Sequence, residues 1–244
     1  MDKNNFISSI YSYNLLAKDY AEISSKKELY INAVNRLIIE NAPENIINYL
    51  DAGCGDGLRT KDLIDKLKPD KAVLIDNSPK MISLVKKESI GEAYLSSIAD
   101  FNYSLKFDLI TSLWNVFGHI ENEKRRIESL KNLRKCLSDD GVLILDVNNR
   151  YNIDYGLISV LKNIIIDLNL LKKNRKKGWF SFQHNGKNFS TYLHNFFEIS
   201  QVLRKAGYQI IKYYSVGYNT GVITQKSIFK GQLLLIVKKY GQKK

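Results

Sequence analysis

The chain is 244 residues long and contains only two cysteines, Cys54 and Cys136. Two cysteines so far apart in sequence fit neither a disulfide framework nor a metal site, so we expect reduced packing residues and no bound metal. Long apolar runs are also lacking, and Leu233 to Val237 is far shorter than the roughly 18 residues that a membrane span requires. The start, Met1 to Phe6, lacks the apolar stretch of a secretory signal. These absences predict a cytoplasmic protein with no membrane span.

Acidic residues are outnumbered, since 37 Lys and Arg stand against 25 Asp and Glu and give a net charge of +12. Such an excess favours phosphate-rich partners, and the basic run 172–177, next to aromatic residues, could follow an RNA backbone. The lysines are nevertheless spread along the whole chain, and a charge run is usually a solvated face. The charge therefore leaves RNA open as a partner. A 44% hydrophobic content predicts one sizeable core, hence a single domain over 1–244.

The segment 48–57 reads Asn-Tyr-Leu-Asp-Ala-Gly-Cys-Gly-Asp-Gly, an apolar strand-like run followed by an acid and three spaced glycines. Such glycines permit positive backbone angles and let the main chain approach a ligand closely. A helix from about Leu58 would direct its free N–H groups at an anionic group of that ligand. The dinucleotide pattern G-x-G-x-x-G needs a glycine where Leu58 stands, which argues against a nicotinamide cofactor. A glycine-rich turn that binds nothing is the other interpretation.

The next strand-like run, Lys71 to Asp76, ends in an acid 19 residues beyond Gly57. This is the distance at which a neighbouring strand delivers a carboxylate to a ribose diol. Further strand-like runs at 92–97, 107–114 and 142–147 are separated by helical patterns, among them an amphipathic helix over 121–136 and a turn at 138–141. This order predicts an open parallel sheet, which binds ligands beyond the carboxyl ends of its strands.

At this point the chain resembles the class I S-adenosylmethionine (SAM) methyltransferases, whose first motif, (D/E)-x-G-x-G-x-G, reads Asp-Ala-Gly-Cys-Gly-Asp-Gly at 51–57. The segment 77–82, Asn-Ser-Pro-Lys-Met-Ile, is similar to a second family segment, with Ser78 as helix N-cap and Pro79 at the first helical position. The resemblance implies an α/β fold with a Rossmann-like seven-stranded sheet, mostly parallel with the last strand antiparallel, and helices on both faces.

The resemblance covers about Tyr11 to Tyr240 except 148–191. It implies an N-terminal helical cap (1–42), a SAM-binding core (43–147), a variable acceptor lid (148–191) and the C-terminal part of the sheet (192–244). Within the lid, 155–171 predicts an apolar helix or a pair of helices, and 178–184 is aromatic. A helix over 196–208 and strands near 209–216 and 232–239 complete the sheet.

The resemblance also implies SAM as cofactor, with S-adenosylhomocysteine as product, held by residues at four strand ends. Asp76 is the ribose ligand, Asp100 accepts from the adenine amino group and Phe101 packs on the ring. Met81 lies near adenine or is a core residue, and Asp100 could be a solvated loop acid. The cofactor-binding candidates are Asp51, Gly53, Cys54, Gly55, Gly57, Asp76, Asn77, Met81, Asp100, Phe101, Leu113, Trp114 and Asn115.

The reaction implied is in-line methyl transfer to an N or O atom, in which positioning supplies most of the acceleration. A base is required only for a protonated amine or a hydroxyl acceptor. The candidates are His119, Tyr11, Tyr20 and His194, although the tyrosines could be half-buried core residues and the histidines packing or surface residues. Together with Tyr13, the tyrosines resemble the family's N-terminal aromatic segment, which often closes over SAM and the acceptor.

The acceptor is less well defined than the cofactor. The (D/N)-P-P-(Y/W) tetrad of many base amino-group methyltransferases is missing, since the matching place reads Leu-Trp-Asn-Val at 113–116. A small molecule is therefore the first expectation, RNA such as tRNA the second, and a non-catalytic SAM-binding partner module the third. The oligomeric state stays open.

Overall fold

The computed structural model describes residues 8–168, 178–184 and 186–241. The basic run 172–177 lies outside the described residues. The strands in chain order are β1 (Asn48–Ala52), β2 (Lys71–Asp76), β3 (Glu92–Leu95), β4 (Phe107–Ser112), β5 (Leu137–Val147), β6 (Trp179–His184), β7 (Lys187–Tyr192), β8 (Tyr208–Val216), β9 (Ile223–Gln225) and β10 (Gln232–Lys239).

The central sheet has the strand order β3-β2-β1-β4-β5-β10-β8-β9, and β6 and β7 form a separate antiparallel hairpin. Strands β1 to β5 run parallel to one another, and β10 is antiparallel to both β5 and β8. The predicted parallel sheet with an antiparallel last strand is confirmed. The sheet has eight strands instead of the expected seven, because β9 adds a three-residue edge strand next to β8. So short a strand carries no alternating pattern by which the sequence could predict it.

The helices are α1 (Ser9–Leu16), α2 (Tyr20–Ser25), α3 (Glu28–Asn41), α4 (Leu58–Leu67), α5 (Pro79–Lys87), α6 (Glu123–Cys136), α7 (Leu157–Asp167) and α8 (Phe196–Lys205). Two 3₁₀ turns cover Val116–His119 and Ile153–Tyr155. At the start of α5 the Ser78 hydroxyl accepts from the Met81 N–H at 3.3 Å, as predicted. Helix α6 starts at Glu123 rather than at residue 121, because the Asn122 side chain caps it by accepting from the Arg125 N–H.

Helices cover both faces of the sheet, and the strands alternate between the two. In β4, Ile110 packs into the cluster that contains α6 and α8, whereas Leu109 packs into the cluster that contains α3 and α4. Strands with both faces buried are apolar at nearly every position, which explains the continuous hydrophobic runs in the sequence.

Strand β5 begins earlier than predicted. The expected turn at 138–141 lies inside the strand, where the pairing with β4 shifts register between the Phe107–Leu137 and Leu109–Val142 pairs. The polar residues Ser-Asp-Asp-Gly indicated a turn, yet a bulge in a strand accommodates the same residues.

The insertion between β5 and α8 contributes one described helix, α7, and the β6–β7 hairpin. Arg150, only 2% exposed, joins the insertion to the sheet domain. It forms ion pairs of 2.7 Å with Asp167 at the end of α7 and with Glu198 in α8. The hairpin is joined to the same group, since the Tyr192 hydroxyl donates to Glu198. Among the described residues, no helix is long and apolar enough to cross a membrane.

Candidate functional site

A cavity of about 330 Å³ lies at the carboxyl ends of β1, β2 and β4, under the N-terminal helices. This is the edge at which open α/β sheets bind ligands. The predicted site residues that line it are Tyr20, Gly53, Gly55, Asp76, Asn77, Asp100, Leu113, Trp114 and His119. The structure therefore brings together the glycine loop after β1, the end of β2, the segments after β3 and β4, and the N-terminal helices.

The glycine loop between β1 and α4 has the predicted positive backbone angles, with φ of +91° at Gly53 and +58° at Gly55. A side chain at either position would force a neighbouring side chain to move. A Cβ on Gly53 would lie 2.6 Å from Val116, and one on Gly55 would lie 2.9 Å from the Tyr20 hydroxyl. The cap and the start of the 3₁₀ turn thus pack directly against bare main chain.

Asp76, at the end of β2, connects its strand to the glycine loop. Its carboxylate accepts from the Gly55 N–H at 3.0 Å and from the Ser78 N–H at 2.8 Å. Burial raises the pKa of this carboxyl to about 6, although the main-chain hydrogen bonds oppose the rise. The Asp76 carboxyl is therefore mainly ionised at pH 7, and its oxygens are hydrogen-bond acceptors in the cavity wall.

Asp51 lies beneath the loop rather than in the first cavity. It is 4% exposed and accepts from the hydroxyls of Thr60 in α4 and Thr111 in β4, the latter at 2.9 Å. Burial raises the pKa of Asp51, and the two threonine hydrogen bonds lower it. This carboxyl ties β1, α4 and β4 together below the ligand edge.

Several predicted residues lie outside the lining of the first cavity. Asp51 and Cys54 line a second cavity, described below, whereas Tyr11, Gly57, Met81, Phe101, Asn115 and His194 line neither. Met81 is a fully buried residue of α5, and Phe101 stacks on Tyr103 at 5.9 Å between ring centroids.

Asn115 is occupied by structural hydrogen bonds. Its amide nitrogen donates to the Thr191 hydroxyl at 2.8 Å, and its amide oxygen accepts from the Asn148 N–H at 2.9 Å. It thereby joins the ends of β4 and β5 to the β6–β7 hairpin. His194 is fully buried between Arg126 and Arg150, and burial and these cations lower its pKa.

Four aromatic side chains meet at the first cavity: Tyr13, Tyr20, Trp114 and His119. Ring centroids are 5.1 Å apart for Tyr13 and His119, and 5.4 Å apart for Tyr20 and Trp114. Burial lowers the pKa of His119 to about 4, opposed by a hydrogen bond with the main chain of Ser190 in β7. Burial raises the pKa of both tyrosines. All four rings are therefore uncharged at neutral pH.

A second cavity of about 250 Å³ adjoins the first and shares Tyr20, Gly53, Leu113 and Trp114 with it. Helices α3 and α4 form its far wall. Arg59, in the first turn of α4, lines this cavity, and sequence reasoning did not single it out. The available signal was its place in the helix that follows the glycine loop, where an anionic ligand group was expected.

Comparison with known proteins agrees with this architecture. The family model of a methyltransferase domain matches residues 22–213. The chain belongs to this methyltransferase family. It is 29% identical, over 91% of its length and 84% of the relative's, to the uncharacterized protein MJ1252 of Methanocaldococcus jannaschii. It is also 29% identical to the ribosomal protein L11 methyltransferase of Thermosipho africanus, over 54% of this chain and 46% of that one.

Solved methyltransferases share the fold at low sequence identity. A SAM-dependent methyltransferase from Clostridium acetobutylicum superimposes with a TM-score of 0.65 at 17% identity, covering 92% of this chain and 99% of the other. The DhpI–SAM–HEP complex superimposes with a TM-score of 0.66 at 15% identity, covering 97% and 99%. These similarities confirm the Rossmann-like methyltransferase fold.

The methyltransferase is accordingly an enzyme that uses SAM. The residues at the two cavities fit that cofactor chemically. Bare glycine main chain and an ionised carboxylate at the end of β2 suit a nucleoside, and Arg59 in the adjoining cavity carries buried nitrogens with no hydrogen-bond partner among the described residues.

Proposed function

We propose that this methyltransferase transfers the methyl group of SAM to an N or O atom of a small-molecule acceptor. The observation that carries the proposal is that the rings of Tyr13, Tyr20, Trp114 and His119 line the first cavity together. Two of these rings come from the N-terminal helices and two from the segment after β4. An acceptor that reaches the strand ends between four rings is a compact group rather than a folded polymer.

The cofactor side of the site is assigned to residues at the ends of β1, β2 and β3. Gly53 and Gly55 offer main chain without side chains, Asp76 accepts from the ribose hydroxyls and Asp100 accepts from the adenine amino group. The Asp100 carboxylate already accepts from the Ser97 hydroxyl at 2.6 Å, which fixes its orientation. Bound SAM supplies a methyl group on a sulfonium, which needs little acid catalysis because the leaving group is a neutral thioether.

The acceptor side is assigned to the four rings. With its pKa near 4, neutral His119 accepts a hydrogen bond at pH 7 but takes up a proton poorly. Tyr13 and Tyr20 stay protonated and can donate. These groups orient an acceptor that arrives either as a neutral amine, whose methylated product is an ammonium, or as an already deprotonated oxygen, and they keep water away from it. Tyr11, 56% exposed and outside both cavities, has no place in this arrangement, whereas Tyr13 does.

The test is a binding and turnover measurement on the purified full chain. SAM and S-adenosylhomocysteine should raise the melting temperature because they bind only the native state, and NAD should not. Methyl transfer from isotopically labelled SAM to pools of small amines and alcohols, with tRNA in a parallel reaction, then identifies the acceptor class. Label found only in tRNA would contradict the small-molecule proposal and leave cofactor binding intact.

A further inference from the structure

The wall of the second cavity contains the Arg59 guanidinium, whose set of hydrogen bonds is incomplete. Nε of Arg59 donates to Oδ1 of Asn35 at 2.8 Å, but the two terminal nitrogens are buried and have no hydrogen-bond partner in the described part of the chain. A buried donor left without a partner costs free energy, more so on a charged group. Its retention beside a cavity indicates a ligand that completes the set.

The guanidinium is held in a defined orientation. Asn35, only 2% exposed in α3, accepts from Arg59 and donates from Nδ2 to Oδ2 of Asp62 at 2.9 Å. This chain from Asp62 through Asn35 to Arg59 bridges α3 and α4. The side chain therefore presents its two terminal nitrogens from a fixed position, which is how arginine matches the two oxygens of a carboxylate.

The charges around the cavity are of both signs. Asp51 and Asp56 line the same cavity as Arg59, and burial raises the pKa of both carboxyls. A cation and acids in one small cavity are complementary to a ligand that carries an anionic and a cationic group close together. An α-amino acid end, with its carboxylate and ammonium on one carbon, has this pattern.

The position of the second cavity indicates which molecule supplies this amino acid end. It shares Gly53 with the first cavity, and its lining includes neither Asp76 nor Asp100, to which the ribose and the adenine are assigned. The part of SAM beyond its ribose is a methionine chain that ends in an α-amino acid. We propose that Arg59 binds the carboxylate of this end, oriented by Asn35, and that it makes the site selective for cofactors that carry a carboxylate. The inference rests on the proposed function, because it needs the nucleoside in the first cavity.

The experiment measures dissociation constants by calorimetry, without turnover. The ligands are S-adenosylhomocysteine, SAM, decarboxylated SAM, which lacks only the carboxylate, and 5′-methylthioadenosine, which lacks the whole amino acid end. The protein should bind SAM about 10- to 100-fold more tightly than decarboxylated SAM, the range that a charge-assisted hydrogen-bond pair gives. Equal affinity for the two would overturn the proposal before any variant is made.

Arg59→Met should weaken the binding of SAM and S-adenosylhomocysteine by about the same 10- to 100-fold. The affinities for decarboxylated SAM and 5′-methylthioadenosine should stay within about twofold of those of the unaltered protein. Asn35→Ala, which leaves the cation but removes its orienting partner, should give an intermediate loss for the carboxylate ligands only. Arg36→Met is the matched control, since the Arg36 side chain is 67% exposed on α3.

The outcomes separate the two proposals. Loss of all four ligands in a folded Arg59→Met protein would assign Arg59 to the nucleoside site and overturn the carboxylate role. Unchanged SAM binding would overturn it as well. If the unaltered protein binds SAM tightly but does not bind 5′-methylthioadenosine, the affinity depends on the amino acid end of SAM. This result would support the carboxylate role of Arg59. Binding of none of the four ligands would reject the proposed function itself.

Discussion

The carboxylate of Asp76 accepts a hydrogen bond from the main-chain N–H of Gly55 at 3.0 Å, across 21 positions of sequence. This contact fixes the glycine loop of β1 against the end of β2. Because the same carboxylate also lines the first cavity, the geometry of the loop and the proposed ribose contact depend on one ionisable group.

Asp76→Asn should weaken SAM by about 10- to 100-fold, since the amide keeps the shape but loses a charged acceptor for two hydroxyl groups. Calorimetric titration with SAM and 5′-methylthioadenosine measures it, and both ligands should weaken in parallel because both carry the ribose. Asp65→Asn, on an exposed position of α4, is the control. Normal SAM affinity in Asp76→Asn would remove the ribose assignment.

The raised pKa of Asp76 gives a pH dependence with a defined sign. With a folded-state pKa of about 6, above that of the unfolded chain, this carboxyl favours the folded state at low pH and loses that contribution as the pH rises through 6. Ligand binding needs the ionised form, so SAM affinity should rise about tenfold per pH unit from pH 5 towards 6 and level off above 7. Titrations at several pH values test this, and Asp76→Asn should flatten the curve. A flat profile in the unaltered protein would contradict the assignment.

Gly55→Ala should destabilise the protein through two separable effects. An alanine at φ of +58° is strained by about 1–2 kcal/mol, and its Cβ would also lie 2.9 Å from the Tyr20 hydroxyl. Gly186→Ala is the matched control, since it has a φ of +72° but no atom within 4 Å of the added Cβ. Urea unfolding should show the backbone strain in both variants.

Only Gly55→Ala should in addition displace Tyr20 and weaken SAM binding. Equal loss of unfolding free energy and unchanged SAM affinity in the two variants would mean that the contact between Tyr20 and the loop is unimportant.

The sequence predicted those features that are local along the chain. The glycine loop, Asp76 at its strand end and the Ser78–Pro79 helix start each depend on a few neighbouring residues, so their patterns are visible before folding. The Arg59–Asn35 contact spans 24 positions and the Asn115–Thr191 contact spans 76. No local pattern specifies such pairs. Arg59 was therefore not predicted at all, and Asn115 was predicted at the cofactor although its amide joins the hairpin to the sheet.

His119→Gln should lower kcat/KM about 10-fold or more while SAM affinity stays within about twofold, because His119 is assigned to the acceptor side. Since burial puts its pKa near 4, the turnover of the unaltered enzyme should show no step from this group between pH 6 and 8. Steady-state kinetics with the acceptor found in the screen, measured across that range, provide the check. A step near pH 6.5 that His119→Gln abolishes would mean that the histidine titrates during turnover.

Arg150→Met should destabilise the fold by about 3–5 kcal/mol, the cost of breaking a buried ion pair by removing one partner. Arg150 is 2% exposed and forms ion pairs with Asp167 and Glu198, so its replacement removes the buried cation from both pairs. Arg36→Met provides the comparison, because the side chains of the Arg36–Glu40 pair are 67% and 55% exposed. Removing this exposed pair should lower the free energy of unfolding by less than about 1 kcal/mol. Urea unfolding, followed by tryptophan fluorescence, measures both variants.

Arg150 joins α7, α8 and the β6–β7 hairpin, and the hairpin contacts His119 through Ser190. Acceptor turnover should therefore fall more than SAM binding at temperatures where the Arg150→Met variant is still folded. A variant as stable as the unaltered protein would mean that the insertion is held by its apolar contacts alone.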